Sequence, residues 1–360
     1  MIYHIFYPLA KYLSVFNITK YITFRGGCAF ITSFILVMLF WKFTLKRLKN
    51  LKIIERVDMY GHIHLESLHN SKKGTPTMGG ILIIFSMSIS TILWARWDSY
   101  LVLAVLLVLL SLGLVGLRDD FLKIKRGQGL SRRQKLIAQS LVGVLLGIVL
   151  LLNKDFPNSW NLPFLKNFVV DLGYFYIFWS ILMVIATSNA VNFTDGLDGL
   201  AIGAVIINSL IFGILSYVVG HIGFANYLFI PYIEGAGELT VFCLSLMGAG
   251  LAFLWFNSYP AEVFMGDVGA LALGGALGTI ALLIKQEFLL FISGGLFVLE
   301  ALSVILQILS VRLRGKKIFL AAPLHHHLQL LGWKEPKIII RLWIVSIICA
   351  IAALLTLKIR

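Results

Sequence analysis

The sequence predicts an all-α, polytopic integral membrane protein with about ten transmembrane helices and both termini outside. Three observations carry that prediction. The 360 residues are 59% hydrophobic and only 13% charged, with a mean hydropathy of +0.90, whereas soluble domains carry roughly 25% charged and 45–50% apolar residues. The apolar excess falls in long unbroken runs rather than amphipathic stripes, and about ten runs reach the ~20 residues that cross ~30 Å of hydrocarbon as a helix. The 31 Lys/Arg against 17 Asp/Glu give a net charge of +14, and most of that excess is confined to three segments, 42–76, 118–135 and 312–341. These share one side if the spans alternate, and the positive-inside rule makes that side cytoplasmic. No basic run is interleaved with aromatic residues, so the charge predicts no nucleic-acid partner.

In chain order, the apolar runs cover 23–41, 77–94, 100–117, 134–152, 173–189, 199–219, 239–256, 268–284, 288–311 and 338–358. Residues 1–20 hold only Lys11 and Lys20 among mixed residues, lack a signal-peptide pattern, and read as an interfacial segment. The cytoplasmic links are 42–76, 118–135, 190–198, 257–267 and 312–337. All links are too short for a separate soluble domain, so residues 1–360 read as one transmembrane catalytic domain. The outer links are short or nearly neutral, pairing Arg96 with Asp98 and Lys285 with Glu287, and Lys154 and Lys166 with Asp155 and Asp171. Cys28, Cys243 and Cys349 sit singly inside apolar runs, without metal or redox spacing, and read as packing residues.

Carboxylates beside hydrocarbon are costly unless paired or facing water, so their positions point to function. Asp119, Asp120, Asp195, Asp198 and Asp267 all fall on the cytoplasmic side, with His325, His326 and His327. Acids, lysines and histidines on one face suit a metal-assisted reaction on an anionic substrate. In the run from Asn189 to Gly199, Asp195 and Asp198 share a face if the stretch is helical, and Asn192 and Thr194 are candidate caps for the next span; a polar turn is the alternative. Asp119 and Asp120 point about 100° apart on a helix, which predicts different roles: one faces a metal or a proton, the other pairs with Lys123 or Lys135. The alternative is an acidic-basic helix end at the headgroups. Asp267 lies between two glycines beside Phe264, suits magnesium, which takes one or two carboxylates plus phosphate oxygens and water, and leaves Phe264 to stack on a nucleobase. A tight glycine turn explains the same string. Lys72, Lys73 and Thr77 before Gly79-Gly80 read as a phosphate-binding segment or as a positive-inside anchor. The three histidines read as donors to phosphate oxygens, or as surface histidines without a role, rather than as a transition-metal site, because consecutive imidazoles do not converge on one ion. Glu300 and Gln307 are either buried partners of another helix or cavity lining.

Taken together, these motifs resemble the polyprenyl-phosphate N-acetylhexosamine-1-phosphate transferase superfamily, and more narrowly the phospho-N-acetylmuramoyl-pentapeptide transferases. The resemblance runs from Tyr21–Arg25 to the last span. It rests most on Gly74–Gly80 (Gly-Thr-Pro-Thr-Met-Gly-Gly), Asn189–Ala201, Phe264–Gly269 and Ala322–His327, the histidine run favouring the narrower family. The resemblance implies a ten-helix homodimer in membrane lipid of the bacterial inner membrane, its magnesium-dependent site facing the cytoplasm and its termini the periplasm. It implies transfer of phospho-MurNAc-pentapeptide from UDP-MurNAc-pentapeptide to undecaprenyl phosphate, yielding lipid I and UMP. By the same resemblance Asp267 holds magnesium, Asp119 and Asp120 form the acidic pair with Asp119 as base, and His325 is catalytic. Lys72, Thr77, Lys135, Asn192, Asp195, Asp198, Phe264, Gln307 and His326 line the substrate site. Two positions depart from the family pattern: Arg118 stands where an aromatic or small apolar residue precedes the paired aspartates, and His64-Leu65-Glu66 replaces Asp-Gly-Pro.

Direct one-step attack by the acceptor phosphate is the expected mechanism, with a covalent aspartyl-phosphate on Asp267 as its rival. The functional alternatives are a UDP-GlcNAc transferase of the same superfamily and an anion transporter. The transporter is disfavoured because its site belongs near the bilayer midplane.

Overall fold

The computed structural model describes residues 1–51, 53–54, 72, 74–153, 156–161 and 169–358. Among these, nine helices are long and apolar enough to cross a membrane, and a tenth apolar helix is shorter. The chain begins with α1 (Ile2–Leu9) and a 3-10 segment (Ser14–Lys20), followed by α2 (Ile22–Asn50), α3 (Gly80–Trp94), α4 (Tyr100–Arg126) and α5 (Arg132–Leu152). A two-stranded antiparallel pair, β1 (Ser159–Asn161) and β2 (Val169–Asp171), registers Trp160 opposite Val170. Then come α6 (Phe175–Thr194), α7 (Leu200–Val219), α8 (Ile222–Leu228), α9 (Glu238–Asn257), α10 (Gly266–Leu283), α11 (Glu287–Ser293), α12 (Gly295–Arg314), α13 (Leu324–Leu330) and α14 (Glu335–Thr356).

The helix α10 is the axis of the bundle. All but its first two residues are buried, and its Gly, Ala and Leu residues let α3, α4, α6 and α7 close around it. Helices associate closely where small residues let backbones approach. On Gly80 a Cβ would lie 2.4 Å from the Gly269 backbone, and on Gly116 it would lie 2.3 Å from the Asp267 carbonyl oxygen. Those two contacts bring the starts of α3 and α10 and the end of α4 to one place.

Three expected boundaries change. The second span starts at Gly80 rather than 77 because residues 76–80 run beside the 264–265 backbone. Phe264 N–H donates to Pro76 O at 2.8 Å, and Gly79 and Gly80 N–H donate to Phe264 O and Met265 O at 2.9 Å. The run at 288–311 is two helices, α11 and α12, divided at Gly294. The third span continues to Arg126, which places Asp119 and Asp120 within the helix, 2% and 4% exposed.

At the bundle end away from the paired aspartates, Arg25 (1% exposed) meets Glu238 in a bidentate pair with both contacts at 2.6 Å. The same carboxylate accepts Arg96 N–H at 3.1 Å, joining α2, α9 and the end of α3. Lys285, fully buried with φ of +57°, donates to Tyr176 OH at 2.6 Å and packs over the Phe156 ring at 4.4 Å.

Candidate active site

The site forms where the C-terminal ends of α4 and α6 meet the N-terminal ends of α5, α7, α10 and α14. Asp119 and Asp120 come from α4 and Asp267 from the first turn of α10, and one oxygen from each lies within 4.8 Å of the others. Both aspartates join one cluster, because Gly116 one turn earlier lets α4 lie against the Asp267 backbone, while their backbone partners differ. Asp120 Oδ2 accepts Val268 N–H at 3.1 Å, and an N-terminal helix turn favours a carboxylate there. Asp119 Oδ1 accepts Leu130 N–H at 2.6 Å.

Two lysines hold the acids together. Lys123 Nζ lies 2.9 Å from Asp119, 3.3 Å from Asp120 and 3.0 Å from Asp267. Lys135 Nζ lies 2.5 Å from Asp267 and 3.7 Å from Asp119. Asn192 Nδ2 donates to the other Asp267 oxygen at 2.8 Å. Three carboxylates against two ammonium groups leave one excess negative charge. The ammonium among three carboxylates marks a place where a cation is stable, and the all-oxygen donor set fits magnesium.

An open cavity lies over this cluster, lined by Lys72, Thr77, Asp120, Lys123, Asn192, Asp195, Asp198, Asn257, Phe264 and Asp267. Asp119 adjoins the cavity but does not line it, because Lys123 stands between.

The Asp195–Gly199 stretch is a turn rather than a helix. The helix α6 ends at Thr194, and Gly199 takes φ of +77° before α7 starts. The expected caps are absent: Asn192 goes to Asp267, Thr194 Oγ1 donates back to Ala190 O at 2.8 Å, and Gly199 itself precedes α7 with no side-chain cap. Asn257 Oδ1 takes Gly199 N–H at 3.0 Å, and Asp198 Oδ2 takes Ala261 N–H at 3.0 Å. Lys72 Nζ reaches Asp198 Oδ1 and Glu335 Oε1, both at 2.6 Å, and sits 5.8 Å from the Phe264 ring centre.

The histidine run forms α13; the His325 and His326 rings pack with centres 4.2 Å apart, while each histidine meets a different further partner. His325 Nδ1 lies 3.2 Å from Glu300 Oε2, His326 Nδ1 2.8 Å from Gln329 Oε1, and His327 Nδ1 accepts Leu320 N–H at 3.2 Å. His325 and His326 are buried beside the cavity rather than lining it; a Cβ on Gly196, which does line it, would lie 2.2 Å from His325 Nε2. Gln307 also stays out of the cavity, bonding the backbones of Ile318 and Phe319 at 2.9–3.1 Å. Buried Glu300 and half-buried Gln307 therefore latch α13 and the loop before it to α12. Arg118 is exposed and lines a separate groove with Leu130 and Gln134, so its departure leaves the acid set intact. Residues 64–66 lie outside the described residues. Glu335 and Asn257 join the site although no sequence motif marks them. The only signal for either was a carboxylate before Pro336 at a helix start and an amide at a helix end.

The profile of Glycosyl transferase family 4 matches residues 102–285, and signature 1 of the phospho-N-acetylmuramoyl-pentapeptide-transferases matches residues 72–84. Similar proteins carrying that transferase name come from Desulfotalea psychrophila (48% identical), Pelobacter propionicus (48%) and Desulforapulum autotrophicum (47%), each aligned over 100% of both chains. With identity of this extent over the full length of both chains, the chain belongs to the phospho-N-acetylmuramoyl-pentapeptide-transferase family.

Proposed function

We propose that the chain transfers phospho-MurNAc-pentapeptide from UDP-MurNAc-pentapeptide to undecaprenyl phosphate, giving lipid I and UMP, in the cavity over Asp120 and Asp267. The observation that carries this reading is the convergence of acids, two lysines and an amide at one end of an apolar bundle, in a chain of this family. A donor soluble in water and an acceptor soluble in lipid can meet only at such a boundary.

An oxygen of the acceptor phosphate attacks the sugar-linked phosphorus, and the bond to the bridging oxygen breaks as UMP leaves. Positioning and charge stabilisation supply most of what phosphoryl transfer needs. Phe264 offers a ring for the uracil. Lys72 offers a donor to phosphate, and Asn192 and Lys135 orient Asp267. Because Asp120 lines the cavity, we assign it the contact with the acceptor phosphate and any proton that phosphate carries. Asp119, behind Lys123, holds that lysine and the Gly129–Leu130 turn in place. Magnesium, held by Asp267 with Asp119 or Asp120 beside it, would offset charge on the phosphate oxygens.

An apolar groove runs between α6, α10, α11 and α12, lined among others by Met183, Ala190, Gly274, Leu290, Phe297 and Ile305. Ala190 and Val191 line the groove and Asn192 lines the cavity, so an isoprenoid chain in the groove brings its phosphate to the acids. Homodimer assembly in the bacterial inner membrane, with the cavity facing the cytoplasm, belongs to the same reading. The basic residues at the cavity end support that orientation.

The test is to incubate purified protein in vesicles with UDP-MurNAc-pentapeptide, undecaprenyl phosphate and magnesium. UMP and a lipid-linked sugar should form, stop on chelation and resume with added magnesium. No UMP under these conditions overturns the proposal, and equal use of UDP-GlcNAc would favour the related transferase. A phosphorylated enzyme formed from donor alone, and absent in Asp267→Asn, would replace direct attack by the two-step route.

A further inference from the structure

We infer that Glu335 is a positioning residue that aims Lys72 into the cavity and ties it to the turn carrying Asp195 and Asp198, an inference that rests on reading this cavity as the donor site. A single oxygen does both. Glu335 Oε1 accepts from Lys72 Nζ at 2.6 Å and from the Asp198 N–H at 3.0 Å, while Lys72 also donates to Asp198 Oδ1 at 2.6 Å. An ammonium has three hydrogens. Two are committed to these carboxylates, and the third is left for the cavity that Lys72 lines.

Lys72 needs such a holder. It lies between α2 and α3, two residues before Gly74, and its stem has four rotatable bonds whose ordering costs free energy. Glu335 sits in the first turn of α14, a 22-residue span with a proline in that turn. A carboxylate is favoured at that position, so the holder is rigid where the held group is not. Lys72 is 8% exposed between these partners. The arrangement pre-orders the cation before a phosphate arrives, lowering the cost of binding.

Because one oxygen makes both contacts, Glu335→Gln can keep them through its amide oxygen, whereas Glu335→Ala loses both. Glu335→Ala should raise the KM for UDP-MurNAc-pentapeptide about tenfold, the size of one lost charge-assisted hydrogen bond, with kcat little changed. Glu335→Gln should stay close to the parent in both constants. Acylation of Lys72 by a small amine-reactive activated ester, followed by mass spectrometry, reads the positioning without any substrate: it should be faster in Glu335→Ala and near the parent rate in Glu335→Gln. If Glu335→Ala does not fold, Glu335→Asp, one methylene too short to reach, takes its place with the same expectation. Unchanged Lys72 labelling in Glu335→Ala, or equal impairment of Glu335→Gln and Glu335→Ala, overturns the inference. If the parent protein makes no UMP, the donor reading fails, while the labelling rates still decide whether Glu335 holds Lys72.

Discussion

Asp267 is the residue on which the cluster turns, because it alone touches both lysines and the Asn192 amide. Replacing it with asparagine keeps the shape and removes the charge. Asp267→Asn should cut kcat by about a thousandfold or more, as losses of this kind of electrostatic group do, while the protein still purifies and melts like the parent. Turnover near normal at saturating magnesium would refute the role. The five site aspartates were visible in the sequence as carboxylates where the chain leaves hydrocarbon, and Lys123 and Lys135 as partners for Asp119 or Asp120. Glu335 was not: it is 137 residues from Asp198, and no local pattern announces that contact.

At the scale of elements, glycines decide where helices meet. Gly116→Ala forces α4 off the Asp267 backbone, since the new methyl would sit 2.3 Å from a carbonyl oxygen that cannot move aside cheaply. About an ångström of displacement at the acids should cost on the order of a hundredfold in kcat. Gly113→Ala, one turn earlier, meets the flexible end of Ile84 at 3.0 Å and Ala272 Cβ at an ordinary contact distance of 3.8 Å and should be nearly silent; equal losses from both would refute the account.

The opposite bundle end is held by Arg25 and Glu238. Arg25→Ala strands a buried carboxylate and should destabilise the protein by about 3–5 kcal/mol, read as a lowered thermal midpoint in detergent. The turn between α10 and α11 carries a pH dependence. Burial pushes the Glu287 carboxyl up to about 7, against the pull of Lys285, so between about 4.5 and 7 the folded state keeps a proton that the unfolded chain has released. This group's stabilising contribution is therefore full in acid and declines as pH rises to 7. Burial also pulls Lys285 down to about 8, which makes stability rise again above that pH. Thermal midpoints measured from pH 5 to 7 should fall in the parent and fall less in Glu287→Gln; parallel curves would refute the assignment.

For the whole molecule, the basic residues gathered at the cavity end support the proposed orientation. An impermeant maleimide added to intact cells from which the outer barrier has been stripped should label Tyr174→Cys and leave Arg126→Cys unlabelled until the membrane is opened. The reverse pattern would invert the topology. Composition and run length by themselves determined an all-helical membrane chain, the approximate spans and the face on which the acids collect, because hydrocarbon imposes those choices segment by segment. Only the tertiary structure decided that Asp119 and Asp120 join Asp267, that the Asp195–Gly199 stretch is a turn, and that Gln307 and Glu300 serve the histidine helix. Those outcomes depend on close approaches at Gly80 and Gly116 and on carboxylates meeting lysines far along the chain, which are properties of packed pairs of helices and are carried by no single segment.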